Sequence, residues 1–176
     1  NYRQEESDKF DIGTTAHSLI LEGDASKVCV INPEDYPGKK GGIPDGWTNN
    51  AIREARDAAR ANGLTPILAK HHSAVKEMVS VAREFIATCE LSGPLNSAEP
   101  ELTCVAKDGA IWLRTRPDLM SIDRTHLFNY KTTENAAPTA FCRQIERMGY
   151  DVSAVFYERV MKLLGHRAEE FFIAQE

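Results

Sequence analysis

The residues from Ile111 to Thr133, IWLRTRPDLMSIDRTHLFNYKTT, constrain this chain more than any other stretch. Asp108-Gly109 directly ahead of them is a strong hairpin signal. Strand alternation then puts Trp112, Arg114, Arg116 and Asp118 on one face, and Ile111, Leu113 and Thr115 on the other. On the strand that follows, Leu127, Asn129 and Lys131 share a face, with Phe128 and Tyr130 opposite. If the two strands are neighbours, an acid, an amide and an ammonium converge at one end of a small sheet. A carboxylate with a second oxygen ligand can hold Mg²⁺ or Mn²⁺. A lysine two residues on can orient an attacking water or stabilise charge developing on a phosphate. The same residues also admit a plainer role. An Asp after Arg-Pro serves as a turn residue, and a strand lysine as a solvated edge charge.

The remaining elements follow from periodicity and from helix-end signals. Residues 1–11 are polar and expected to be loosely held. Gly13–Leu21 reads as a short helix with a Thr N-cap, apolar at Ala16, Leu19 and Ile20, and carrying His17 at a surface edge. Lys27–Asn32 reads as a strand and Pro33–Trp47 as a long loop. Its GKKGG segment lacks the Walker spacing, so no phosphate loop is assigned. Asn49 or Asn50 caps a helix running through Ala61. A longer helix from Lys70 to Cys89 presents Val75, Met78, Val79, Ala82, Phe85 and Ile86 as one core stripe. The adjacent His71 and His72 at its start cannot both face one metal. A three-strand meander is expected over 101–106, 110–118 and 126–132, with Glu101 opening its first strand. Two helices follow. The first ends near Met148 with Phe141, Ile145 and Met148 inward. The second spans Asp151–Leu164 with Val152, Val155, Phe156, Val160 and Leu163 as its core stripe. A strand over Glu170–Gln175 closes the chain.

Bulk properties exclude several classes. The 176 residues are expected to form a single domain over 1–176, and 42% hydrophobic with 27% charged content is that of a globular protein. No apolar run reaches the length of a membrane span, and no signal peptide opens the chain. The cysteines Cys29, Cys89, Cys104 and Cys142 are scattered without a CxxC pair. That pattern suits buried thiols in a reducing cytoplasm rather than a zinc or iron–sulfur site. A net charge of −5 argues against a broadly basic nucleic-acid surface. Arg114, Arg116, Lys131, Arg143 and Arg147 could still supply a local patch. A first residue that is not Met, and a stop just after FFIAQE, suggest a piece of a longer chain.

Five segments, GTTAH, the Glu101-led strand, RPD, NYKTT and GYDVSAVFY, occur in an order that resembles the PD-(D/E)XK nucleases. More narrowly, the chain is similar to the exonuclease VIII (RecE) type of phage and prophage recombination, over most of its length from Gly13 to Gln175. The resemblance implies an α/β fold with a restriction-endonuclease-like core, a central mixed sheet flanked by helices. It implies metal-dependent 5′-to-3′ hydrolysis of duplex DNA from its ends, with Mg²⁺ or Mn²⁺ as cofactor. The residues implied as catalytic are Asp118, Asn129, Lys131, His17 and Glu101, of which Asp118, Asn129 and His17 would face the metal. Tyr157, Ser153, Arg116 and Thr132 would face DNA. A single-strand annealing partner and a ring of identical subunits are implied by the resemblance alone.

Two positions depart from the family pattern. Where relatives carry Gln-x-x-x-Tyr, this chain has Ser153 and Tyr157, and a serine is too short for the glutamine's contact. Where relatives carry Asp-Tyr-Lys, this chain has Asn129. A neutral amide there removes a unit of negative charge beside a divalent cation, where electrostatics are strongest. Three readings stay open at 129: an engineered Asp-to-Asn change, a degenerate nuclease that binds DNA without cutting it, and a site whose carboxylate has moved, to Glu101 or Asp123. Against the nuclease reading stand a non-catalytic DNA-binding or structural module that keeps the fold, and an unrelated α/β protein with chance motifs.

Overall fold

The computed structural model describes residues 8–176; the loosely held segment expected over 1–11 falls largely on residues 1–7, outside that range. Two compact units share the chain, one ending at Val81 and the other running from Ala82 to Glu176. The long helix α3 (Ala69–Thr88) carries the chain from one to the other. Its stripe is buried at Val75, Val79 and Ala82, but Phe85 is exposed. Among the described residues no helix is long and apolar enough to cross a membrane.

The first unit begins with α1 (Asp8–His17), continued by one wide π-type turn, Ser18–Glu22, that stops at Gly23 with φ +65°. The helix starts earlier than the sequence suggests. Thr15 is therefore interior and buried, and its hydroxyl donates to the Asp11 carbonyl instead of capping. Strand β1 (Val28–Ile31) pairs in parallel with β2 (Thr65–Leu68), and α2 (Asn50–Ala61) forms the crossover between them. Asn49 caps α2 as expected, accepting from the Ile52 amide at 2.9 Å while its own Nδ2 donates to the Tyr36 carbonyl. Ile31, Ile52 and Leu68 close the core between strands and helix. β2 is absent from the sequence reading because Pro66, which cannot donate to a ladder, argues against a strand.

In the second unit a two-residue loop at Gly109 and Ala110 joins β4 (Cys104–Asp108) to β5 (Ile111–Thr115), with Gly109 at φ +59°. The expected three-strand meander is broken. Its middle strand stops at Thr115, because Arg116-Pro117-Asp118 leaves the ladder where Pro117 has no N–H to give. The chain resumes as β6 (Leu119–Met120), which pairs antiparallel with β7 (His126–Thr132). A short β3 (Glu99–Pro100) flanks β6, and β8 (Glu169–Gln175) lies parallel to β7 along its whole length. The order β3-β6-β7-β8 is thus a mixed sheet, and the architecture is α/β.

Helices α5 (Pro138–Met148) and α6 (Tyr150–Leu163) follow β7, and a five-residue helix α4 (Ser92–Asn96) precedes β3. The buried line of α6 keeps Phe156 and Val160 of the expected stripe but not the rest. Val152 and Val155 are 70% and 68% exposed, and Leu163 is exposed too. Val160 and Met161 are buried against Cys104, Ala106, Met120 and Leu127, with Phe156 and Tyr157 packed beside them. Residues 156, 157, 160 and 161 form their own helical stripe, so the helix is turned from the predicted face. On α5, Phe141 is buried, but Met148 is exposed. Of the four free cysteines, Cys104 is buried while Cys142 is exposed.

Candidate functional site

The antiparallel pairs Leu119–Phe128 and Met120–Leu127 bring Asp118, one residue before β6, alongside position 129 on β7. The backbone amide of Tyr130 donates to Asp118 Oδ2 at 2.7 Å, which fixes the carboxylate against the strand. Lys131 Nζ lies 3.5 Å from the same oxygen. The ammonium also sits 5.6 Å from the centre of the Tyr150 ring, a cation–π contact that holds the flexible side chain over the sheet. Both ends of the pair are mostly buried, so their attraction is screened less than that of a surface ion pair.

Asn129 is only 5% exposed. Its Nδ2 donates to Glu170 Oε1 at 2.7 Å. Parallel pairing sets Glu170 opposite Leu127 and Phe172 opposite Asn129. Glu170, Phe172, Leu127, Asn129 and Lys131 therefore share one face of the sheet. The second oxygen of Glu170, Oε2, is buried and has no hydrogen-bond partner among the described residues. Burial pushes the Glu170 carboxyl up to about 7; the Asn129 hydrogen bond and Lys131 oppose that rise, while Glu158 and Asp118 add to it. No expectation from sequence placed Glu170 here. Its position in a terminal strand was legible, but nothing in FFIAQE states which strand it pairs with.

The other expected residues are distributed as follows. Glu101 does not open a strand. It sits in a turn at φ +54°, donating its backbone amide to the Asp118 carbonyl and holding Arg116 Nε at 2.7 Å through Oε2. Tyr157 is half-buried on α6, with its hydroxyl 3.5 Å from the Arg116 carbonyl. Burial pushes that hydroxyl up, the Thr115 side chain opposes the rise, and the Glu170 and Asp118 charges also act on it. Ser153, one turn earlier, is exposed, with its hydroxyl 3.4 Å from the Gly149 carbonyl on its own helix. Thr132 is half-buried at the end of β7. His17 ends α1 in the first unit.

Asp123 serves a local purpose. Its Oδ1 accepts from Ser121 Oγ, from Thr125 Oγ1 and from the Thr125 amide, closing the β6–β7 turn. Those bonds pull its carboxyl down to about 2.

No family model matches the chain. No curated protein matches it either.

The grouping in the second unit therefore stands on its own chemistry: two carboxylates, one oriented by a backbone amide and one by a side-chain amide, and a lysine beside the first. Oxygen donors of this kind suit a small divalent cation. The buried, unpaired Glu170 oxygen is an atom that such a cation would satisfy. Nearby, Arg143 and Arg147 of α5 line a small cleft with Thr133, Asn135 and Gln144, directly beyond the end of β7.

Proposed function

We propose that the chain is a metal-dependent deoxyribonuclease of restriction-endonuclease-like fold, resembling the 5′-to-3′ duplex exonucleases of phage recombination. The observation that supports this best is the convergence of Asp118 and Lys131 at 3.5 Å, with Asn129 beside them on β7. Asp118 and position 129 would hold Mg²⁺ or Mn²⁺. When bound, such a cation supplies Lewis acidity and activates water for attack. The Tyr130 amide holds the Asp118 carboxylate in place against the strand. Lys131, steadied by Tyr150, brings a positive charge to the place where a phosphate would gain negative charge in the transition state. Tyr157, Arg116, Ser153 and Thr132 are assigned to DNA contact, and Glu101 to the wider site. Arg143 and Arg147 add phosphate-facing charge that a chain of net charge −5 must concentrate locally.

Asn129 favours a second reading, a module that binds duplex DNA without cutting it, since the amide carries no charge toward a cation. One experiment separates the two. Linear, end-labelled duplex DNA is incubated with Mg²⁺ or Mn²⁺ and with the unaltered chain, Asn129→Asp or Asp118→Asn. The nuclease reading expects degradation by one or both of the first two proteins and a loss above about 100-fold in Asp118→Asn, beyond what supporting residues alone contribute. DNA retained but left intact by both would hand the site to the binding-module reading.

A further inference from the structure

We infer that Glu170 is the acidic ligand that this site lacks at position 129, so that Asp118 and Glu170 together hold the divalent cation and Asn129 positions Glu170. The inference rests on the metal-dependent reading above and deepens it. Without Glu170 the grouping around Asn129 and Lys131 offers, among the described residues, a single carboxylate, Asp118, and its Oδ2 is already engaged by the Tyr130 amide and Lys131. The two residues that sequence reasoning could nominate for a moved carboxylate are otherwise bound. Glu101 holds Arg116, and Asp123 closes a turn. Glu170 is different in each respect. It stands on the strand next to Asn129, on the face that carries Lys131. It is hydrogen-bonded to Asn129, and Asp118 to the next residue of β7, Tyr130, so one short stretch of that strand holds both carboxyl groups.

Its two oxygens are also used unequally. Oε1 is held by the Asn129 amide at 2.7 Å, while Oε2 is buried with no partner among the described residues. A glutamate kept only for structure would be expected to have both oxygens satisfied, because an unpaired buried carboxylate oxygen is costly. The amide at 129 then acquires a reason. A carboxylate in its place would have no N–H to offer Glu170 Oε1, whereas the amide donates to it at 2.7 Å. Asn129 and Glu170 form a matched pair, the amide on β7 donating to the carboxyl on β8.

The test is cation binding by the unaltered chain and by Glu170→Gln, Asp118→Asn and Asn129→Ala. Mn²⁺ is titrated by electron paramagnetic resonance of the free ion, and Mg²⁺ by calorimetry. Gln keeps the size of Glu170, and its carbonyl can still accept from Asn129. The inference expects saturable binding that weakens at least about 10-fold in Glu170→Gln and comparably in Asp118→Asn, with a smaller, few-fold loss in Asn129→Ala. Unchanged binding in Glu170→Gln beside a clear loss in Asp118→Asn would overturn the role of Glu170 and leave the metal reading standing. Absence of saturable binding by the unaltered chain would overturn both. A second measurement needs no variant. Substoichiometric Mn²⁺ should broaden the side-chain carboxyl carbon signals of Glu170 and Asp118 well before that of Asp123. A Glu170 signal that persists while that of Asp118 vanishes would also overturn the inference.

Discussion

Asn129 is a buried polar side chain whose amide has one identified acceptor, the Glu170 carboxylate. Its removal exposes what that bond is worth. Asn129→Leu keeps much of the volume but leaves Glu170 with neither oxygen bonded to position 129. Urea unfolding at neutral pH without added metal should show a loss of about 1–3 kcal/mol, the usual cost of a stranded buried polar partner. A loss below about 0.5 kcal/mol would mean that Glu170 relaxes to water and that its burial is not enforced. The partner of Lys131 is already held by a second donor. With Tyr130 still donating to Asp118, Lys131→Met should cost about 1–3 kcal/mol, more than an exposed ion pair, while removing the charge from the site. Activity would then fall without unfolding, a separation that circular dichroism and the DNA assay can record together.

Among the elements, the junction of α5 and α6 depends on one residue. Gly149 lies at φ +67°, ending the first helix while its neighbour begins the second. An added Cβ meets nothing within 4 Å, so only backbone strain opposes a side chain there. Gly149→Ala should cost about 1–2 kcal/mol in thermal or urea unfolding. The β6–β7 turn makes a pH prediction. Asp123 has its carboxyl lowered from 3.8 to about 2 by bonds from Ser121 and Thr125. A depressed carboxyl contributes stability above its unfolded value and loses it as pH falls through its folded one. That contribution should therefore fade between about pH 4 and pH 2. The carbon titration of Asp123 should have its midpoint near 2 and move toward 3.8 in Ser121→Ala/Thr125→Val. These elements were unequally legible in the sequence. Asp108-Gly109 announced its hairpin and Asn49 its cap, because both signals are local. Pro117 inside an alternating pattern hid a strand break, and Pro66 hid a strand. Val152 and Val155 matched a helical stripe as well as Tyr157 and Met161 do, so periodicity alone could not choose the buried face of α6.

For the molecule as a whole, charge governs any meeting with DNA. A chain of net charge −5 has no long-range attraction for a polyanion, and binding must come from a few phosphate contacts. Arg143 and Arg147 are exposed beside the end of β7. Substituting each with Ala should reduce the slope of log affinity against log salt by about 0.9 per arginine, read by fluorescence anisotropy on a short duplex. An unaltered slope would place the DNA elsewhere. At this scale the candidate site was half legible. Asp118, Asn129 and Lys131 are brought together by the β6–β7 hairpin, and the sequence grouped them although the strand it expected to carry Asp118 stops at Thr115. Glu170 reaches Asn129 across 41 positions of sequence, a separation that no local pattern encodes.

That separation also sets an order in time. The Asp118–Tyr130 contact closes a span of only 12 residues and can form as soon as the β6–β7 turn does. The Asn129–Glu170 contact must wait until two helices have formed and β8 has docked in parallel, a slower kind of pairing. A half-made chain would thus carry Lys131 and Asp118 in place while Glu170, the second ligand of the proposed cation site, is still absent from it. On the proposed role of Glu170, docking of β8 is the step that completes the site.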